Sequence, residues 1–220
     1  MPRPVKTRTY TSPLRAEQAA ATRARIIDAA RSLFTSQGYP GTTLVQVGAE
    51  AGVAMDTVLH VFGSKKALLA AVLDVVVGGD GARVAMLDRE GPQALRQERD
   101  QRRQVAMLAV GLTGQLERIR PMDDILRSAA ATDAGARLLR EDLQLRQRRA
   151  AMTAVVSWIA ANGDLRDHMS VDQAAAIIWT LTSPEVHQLL RDHWGWDRDQ
   201  FQSWLATTLE SSLLEGRLPR

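Results

Sequence analysis

Residues 43–65 read TLVQVGAEAGVAMDTVLHVFGSK, and this stretch decides the fold of the amino-terminal part of the chain. Apolar residues recur at helical spacing on both sides of Gly52, a residue type that suits the left-handed backbone of a tight turn. The segment after the turn, residues 55–61, would span roughly 10 Å as a helix and would fit a major groove about 12 Å wide. Its inner face carries Val58 and Phe62. The stretch therefore predicts two short helices in a helix-turn-helix arrangement.

The segments around this motif have the same helical periodicity. A helix over about residues 16–37 precedes it and is expected to end at Gly38. Thr42 or Thr43 is expected to cap the next helix, and a further helix begins near Lys65. Helical patterns then recur at about residues 92–119, 122–131, 133–162, 170–193 and 197–214. No segment has strand periodicity, so the sequence predicts an all-α protein.

The chain divides by composition into three parts. Residues 1–15 contain three prolines and four basic residues, and we expect a disordered basic arm that is either free or inserted into a DNA groove. Residues 16–68 form the predicted three-helix helix-turn-helix DNA-binding domain. Residues 69–220 form a larger helical domain for ligand binding and dimerisation. Breaks between helices of this larger domain are expected at Pro121, Gly163 and Gly195.

Composition restricts the classes of function. Residues 1–68 hold nine Lys or Arg and four Asp or Glu, whereas the remainder holds nineteen and twenty-one, so the positive charge lies where nucleic acid would bind. The chain has no cysteine, which excludes disulfides and favours a cytoplasmic location. Its histidines follow no zinc-binding pattern, and it has neither a nucleophile elbow nor a dinucleotide fingerprint. We therefore expect no enzyme activity, metal site or cofactor, and the apolar runs are too short for a membrane span.

Residues 23–72 resemble the DNA-binding domain of TetR-type repressors. A second stretch, residues 179–186 with Gly195, Trp196 and residues 204–205, resembles the carboxy-terminal domain of TetR-like regulators. The resemblance implies a homodimer that blocks transcription until a small ligand releases it. The residues that match in the first stretch are residues 25–30, Leu33, Phe34, Gly38, Tyr39, Thr42, Thr43, residues 51–53, Thr57, Phe62, Ser64, Lys65 and Leu68.

Contacts to the DNA backbone follow from this resemblance. It implies that Thr43, Thr57 and Lys65 touch phosphates, which position the protein without reading sequence. Thr43 and Lys65 lie at expected helix N-termini, where backbone N–H groups also point at anions. For Lys65, the alternative is an ordinary solvated lysine.

Base contacts are expected from the outer face of the second short helix. Ala54 and Met55 are suited to the methyl group of thymine, and His60 to guanine or to phosphate. Asp56 is suited to cytosine, or it is simply a residue that the helix dipole favours at a helix N-terminus. These four positions are the candidates for sequence recognition.

Three positions of this surface depart from the pattern of TetR-type domains. Ala54 stands where Ser or Thr often caps the helix, Leu59 where Tyr commonly binds phosphate, and Val45 where Arg often reads bases. We include Val45 and Leu59 in the candidate DNA surface. The departures make that surface less polar, and they leave open an alternative function: a helical interaction module of the same fold with weak or lost sequence-specific DNA binding.

The larger domain is expected to hold a cavity for an unidentified small hydrophobic effector. Methionine and tryptophan give an adaptable apolar wall, and ordinary core packing is the alternative for each of them. Arg103 either binds an anionic group of the ligand or is merely exposed. The candidate lining residues are Arg103, Met107, Met122, Leu126, Trp158 and Trp179.

The last two helices are expected to form a homodimer interface. Thr182 or Ser183 can cap a helix whose first turn holds Pro184. One face of the final helix alternates large and small residues, so two such helices from each subunit would build a four-helix interface; internal packing is the alternative. The candidate interface residues are Val186, Leu190, Phe201, Trp204, Leu205, Thr208 and Leu209.

These features together predict a ligand-responsive transcriptional regulator. We expect a repressor that binds a palindromic operator in double-stranded DNA as a homodimer, because a two-fold protein suits two-fold half-sites.

Overall fold

A computed structural model describes residues 13–79 and 84–216 of the chain. Within these ranges the regular structure is helical throughout, with no strand, which confirms the all-α prediction. The α-helices of the described ranges are α1 (Pro13–Gly41), α2 (Leu44–Ala51), α3 (Met55–Phe62), α4 (Lys65–Gly78), α5 (Glu90–Gln97), α6 (Gln101–Ala130), α7 (Ala134–Glu141), α8 (Arg148–Ala160), α9 (Val171–Leu181), α10 (Pro184–Gln188) and α11 (Arg198–Leu213).

The chain forms two compact units that divide between Val72 and Leu73. Most of the predicted basic arm, residues 1–12, lies outside the described residues. Its last three residues, 13–15, belong to α1 instead of an arm, because proline is well suited to the first turn of a helix. No helix of the described part of the chain is both long and apolar enough to cross a membrane.

Helices α1 to α3 and the start of α4 enclose the core of the amino-terminal unit. Gly38, with φ 72°, interrupts α1 at the predicted end of the first helix. Phe34 is fully buried, and its ring lies 5.6 Å from that of Tyr39. The other fully buried large side chains of this core are Ile26, Val47, Val58, Leu68, Leu69 and Val72.

The turn between α2 and α3 is held by backbone hydrogen bonds. Gly52 takes the left-handed conformation (φ 67°, ψ 38°) that the sequence predicted, and its N–H donates to the carbonyl of Ala49. The N–H of Val53 donates to the carbonyl of Gly48 at 2.9 Å. A Cβ on Gly48 would lie 2.9 Å from the carbonyl oxygen of Val53, so the close approach of α2 to the turn requires glycine at this position.

The carboxy-terminal unit is built on two helix pairs that share one core. Helix α6 packs along α11, and α8 packs along α9. Ion pairs across the first pair include Arg102 with Glu210. The core side chains that are fully buried between these helices are Ala109, Val156, Ile159, Ala174, Ile178, Phe201, Leu205, Leu209 and Leu213.

Several predicted helix boundaries in this unit are wrong. The predicted helix over residues 92–119 is split, because Asp100 caps a new helix by accepting from the N–H groups of Arg102 and Arg103. The predicted break at Pro121 does not occur, and α6 continues through it. Proline removes only one backbone hydrogen bond, and buried residues on both sides of it, such as Leu116 and Met122, hold the helix in place.

The helix-turn-helix generates a stability prediction. We expect Gly48→Ala to destabilise the amino-terminal unit by about 1–3 kcal/mol, because backbone atoms of the turn cannot move aside for the new methyl group. Gly41→Ala is the matched control, since its Cβ would meet no atom closer than Cβ of Gln37 at 3.7 Å. Urea unfolding followed by circular dichroism measures both variants. Equal stability of the two would contradict the packing argument.

Candidate functional site

The outer face of α3 presents four side chains of the predicted DNA surface. Met55 and Leu59 are 38% and 36% exposed, and Asp56 and His60 are exposed beside them. Val58 is fully buried on the opposite side and so fixes the rotation of the helix. Because residues four apart on a helix are neighbours, these four side chains form one continuous surface.

The start of α2 is fixed by a capping box. The hydroxyl of Thr43 accepts from the backbone N–H of Gln46 at 3.2 Å and donates to Oε1 of the Gln46 side chain at 2.9 Å. Nε2 of Gln46 donates in turn to Oε1 of Gln37 at 3.2 Å, which ties α2 to α1. The Thr43 hydroxyl is thus engaged in the cap, and a phosphate contact would have to share it. Val45, in the first turn of the same helix, is 61% exposed.

The start of α3 has no side-chain cap, because Ala54 at the capping position offers no acceptor. Asp56 lies in the first turn of the helix, where a carboxylate interacts favourably with the dipole. Thr57 is half-buried, and its backbone N–H donates to the carbonyl of Ala54 at 3.0 Å. Ala54 itself is exposed, so this end of α3 is open to solvent.

Lys65 stands in the first turn of α4, after Ser64, whose hydroxyl accepts from the N–H of Ala67 at 3.1 Å. Nζ of Lys65 lies 4.3 Å from the centre of the Tyr39 ring, and the lysine is half-buried. A cation over an aromatic face is attracted by the ring quadrupole, so Tyr39 positions the lysine. Sequence reasoning matched both residues to a family pattern but did not predict that they touch.

Comparison with known proteins shows which family the amino-terminal unit resembles. Residues 26–72 match the family described as "Bacterial regulatory proteins, tetR family". The amino-terminal unit is a TetR-family domain. A curated relative, the "Uncharacterized HTH-type transcriptional regulator TtgW" of Pseudomonas putida, is 47% identical over 58 residues, which cover 26% of this chain and 43% of that protein. The match thus spans less than half of the relative's length.

Solved structures resemble the chain over most of its length. NalD of Pseudomonas aeruginosa, the secondary repressor of the MexAB-OprM multidrug efflux pump, is 22% identical with a TM-score of 0.67, covering 90% of this chain and 98% of that one. FadR of Bacillus subtilis, solved in complex with stearoyl-CoA, is 16% identical with a TM-score of 0.67, covering 86% and 98%. At these identities the likeness establishes a shared fold, a TetR-type domain followed by a larger helical domain.

The six predicted effector-lining residues differ in burial and do not all belong to the main core of the carboxy-terminal unit. Met107, Trp158 and Trp179 are half-buried and pack against the main core. Met122 and Leu126 are almost completely buried on α6, outside that cluster. Arg103 is exposed. The outer face of α8 and of the π-helical turn before it is a shallow, open surface formed by Arg146, Arg149, Ala150, Thr153 and Ala154.

A polar cluster that sequence reasoning missed lies between α6, α8 and α9. Nη2 of Arg148 donates to the carbonyl of Trp179 and, at 2.9 Å, to the hydroxyl of Thr182. Burial lowers the pKa of Arg148 to about 10. Burial also raises the pKa of Asp123, which accepts from Gln144 at 2.9 Å. Only tertiary structure could find this cluster, because in sequence Arg148 is one of a run of arginines.

The predicted dimer residues fall into two groups. Phe201, Leu205 and Leu209 are fully buried within the protomer, so they form its core and offer no surface to a second subunit; their assignment to the interface is corrected. They face inward because α11 packs along α6. The half-buried members are Val186, Leu190, Trp204 and Thr208.

Two apolar side chains near these helices were not predicted as surface. Trp194 is 75% exposed and Leu189 is 59% exposed, in the π-helical turn and the loop that follow α10. Trp204 packs against Trp196, with ring centres 5.8 Å apart. The periodicity of the sequence could not show that Leu189 and Trp194 are exposed, because the π-helical turn at Leu189–His193 shifts the helix phase.

A buried histidine joins α6 to α10. Nε2 of His187 lies 3.0 Å from Oε1 of Glu117, which also accepts from Nε of Arg191 at 2.8 Å. Although burial acts to raise it, hydrogen bonds from Arg191 and His187 leave the pKa of Glu117 lowered. Burial lowers the pKa of His187, and its Nδ1 finds no hydrogen-bond partner among the described residues. The neutral ring with its proton on Nε2 fits this geometry.

The buried His187 predicts a pH dependence of stability. Its pKa is lowered in the folded protein, so the unfolded chain binds the proton more readily; the stabilising contribution is complete above about pH 6.5 and decreases as the pH falls from there toward the folded pKa. We expect His187→Gln, which can still donate to Glu117, to lose less stability than wild type between pH 7.5 and 5.5. Urea unfolding at the two values measures this. The exposed His193→Gln variant is the control and should follow wild type.

Proposed function

We propose that this chain is a ligand-responsive transcriptional regulator that binds a palindromic operator as a homodimer and represses transcription until a small effector releases it. The observation that carries the proposal is the exposed outer face of α3, held by the α2–α3 turn within a TetR-family domain. Such a helix is short enough to lie in a major groove. We propose a cytoplasmic location for such a regulator.

Phosphate contacts by Thr43, Thr57 and Lys65 would place the domain on the duplex. Lys65 has the best support, because its ammonium group is held in place by the Tyr39 ring and lies at a helix N-terminus. Ala54 leaves the start of α3 exposed, so its backbone N–H groups can face an anion. The excess of positive charge in residues 1–68 agrees with this role.

A homodimer would use the surface formed by the π-helical turn after α10 and the exposed side of α11. Leu189 and Trp194 supply the exposed apolar area, beside the half-buried Val186 and Trp204. Aromatic and aliphatic anchors of this kind dominate the energetics of protein interfaces. Two copies of the surface related by a two-fold axis would present two α3 helices to the two half-sites of a palindrome.

A small hydrophobic effector is proposed to bind within the carboxy-terminal unit. The half-buried Met107, Trp158 and Trp179 support this, since they pack at the edge of the core and can rearrange around a ligand. FadR of Bacillus subtilis, which shares the fold, was solved with stearoyl-CoA. Because Met122 and Leu126 are almost completely buried, a ligand that reaches them would have to displace packed side chains.

A second candidate function is a helical interaction module that keeps the fold and has weak or no sequence-specific DNA binding. The apolar exposure of Val45 and Leu59 favours it, because such side chains also suit a protein partner.

DNA binding by Lys65 can be tested directly. Fluorescence anisotropy with duplexes from the DNA flanking the gene of this chain, and with random duplexes, gives affinity over a range of salt concentrations. We expect affinity to fall steeply with salt, and Lys65→Ala to reduce the slope of log affinity against log salt by about one unit. Arg146→Ala, at an exposed arginine of the other unit, is the control and should leave the slope unchanged. If the wild-type protein binds no duplex at low salt, the helical interaction module is the remaining candidate function.

The proposed dimer surface generates a further prediction. Leu189→Glu should raise the dimer dissociation constant by at least about tenfold, because a carboxylate would be buried without a partner. Leu138→Glu on α7 is the matched control, since Leu138 is as exposed as Leu189, at 62% against 59%. Sedimentation equilibrium measures both variants. If both variants remain as dimeric as wild type, the interface lies elsewhere.

A further inference from the structure

Exposed apolar side chains of the amino-terminal unit concentrate on the helix-turn-helix. Within its described residues, four large apolar side chains are exposed by a third or more: Leu14 near the start of α1, and Val45, Met55 and Leu59 on α2 and α3. Both helices already bury an apolar face, through Val47 and Val58 among others. The three exposed side chains therefore are not needed for the core of the unit.

The position of these three side chains limits what they can contact. Met55 and Leu59 are one helical turn apart on the exposed side of α3, and Val45 is near the start of α2. In the proposed complex this side of α3 faces the base edges. The residues there that can form hydrogen bonds with bases are few, namely Asp56 and His60.

The chemistry of the major groove selects a partner for an apolar side chain. Nearly every group on the base edges is a hydrogen-bond donor or acceptor, and covering one with valine, methionine or leucine removes water without replacing the bond. The C5-methyl group of thymine is the apolar group that projects from these edges into the groove in ordinary DNA. Contact with that methyl group buries apolar surface on both sides, which is favourable.

We propose that this helix-turn-helix recognises the C5-methyl groups of pyrimidines, through Val45, Met55 and Leu59. The inference rests on the proposed DNA-binding function and names the chemical group that is read. Thymine is the source of this group in unmodified DNA, and 5-methylcytosine carries the same group on another base. The apolar exposure that favours a protein-interaction module is then a specificity determinant for methyl-bearing bases.

The test begins with duplexes enriched from a random pool by the wild-type protein. Each thymine of an enriched duplex is replaced in turn by deoxyuridine, which lacks only the methyl group, and affinity is measured by fluorescence anisotropy. We expect the contacted positions to lose about fourfold in affinity each, the effect of about 0.8 kcal/mol per apolar carbon group. Replacement by cytosine at the same positions should weaken binding further, and 5-methylcytosine should recover part of the loss relative to cytosine.

Variants assign the effect to residues. Val45→Ala, Met55→Ala and Leu59→Ala should each abolish the difference between thymine and deoxyuridine at one or two positions. All three side chains are exposed, so the variants should fold as wild type does, and circular dichroism checks this. Leu138→Ala, at an exposed leucine of the other unit, should keep the full difference.

The outcomes separate this inference from the proposed function. Equal affinity for thymine and deoxyuridine duplexes at every position overturns the methyl readout while DNA binding stands. A thymine preference that survives in all three alanine variants overturns the assignment to these residues. If the pool yields no enriched duplex and no DNA binds at low salt, the proposed function fails and this inference fails with it, and a protein partner becomes the occupant of the surface.

Discussion

The close approach of α2 to the turn before α3 is the constraint on which the amino-terminal unit depends. A Cβ at Gly48 would meet the carbonyl oxygen of Val53 at 2.9 Å, so the two backbones are in direct contact. The left-handed Gly52 then turns the chain within the three residues, 52–54, that separate α2 from α3. Since Val58 is buried by this packing, the rotation of α3 is fixed, and the residues on its other side have to face outward. The surface that would contact DNA is therefore a consequence of how tightly the turn is made.

Support for that surface comes from polar contacts at helix ends and from cation–π pairs. The Gln46 side chain links the cap of α2 to Gln37, and the Tyr39 ring holds the ammonium group of Lys65. In the same unit the guanidinium of Arg23 lies 4.5 Å from the centre of the Phe62 ring. These contacts connect neighbouring helices, so a substitution at one of them is expected to disturb the groups proposed to bind phosphate as well as local stability.

The carboxy-terminal unit combines an apolar core with buried charged groups. Its core is apolar between α6, α8, α9 and α11, but charged groups are buried at its edge, where Arg148 donates to neutral acceptors. Burying such groups is costly unless they are well paired, so the cluster is weak evidence for added stability. The buried His187, which contacts the half-buried Glu117, adds a second polar cluster between α6 and α10, and Arg191 donates to the same carboxylate. Both clusters lie in the unit that is proposed to bind an effector.

The sequence by itself determined the all-α class, the helix-turn-helix and its turn, because these follow from local periodicity and from glycines whose backbone angles few other residues adopt. It also determined the exposed face of α3, since Val58 and Phe62 mark the opposite side. Only the tertiary structure decided which apolar face of α11 is core, because one amphipathic stripe suits internal packing and a subunit interface equally well. Only the tertiary structure showed that neighbouring helices hold Pro121 inside α6. It also showed that Trp194 is exposed, which depends on a π-helical turn that the sequence periodicity does not predict. Long-range packing, which joins residues far apart in the chain, settles these questions.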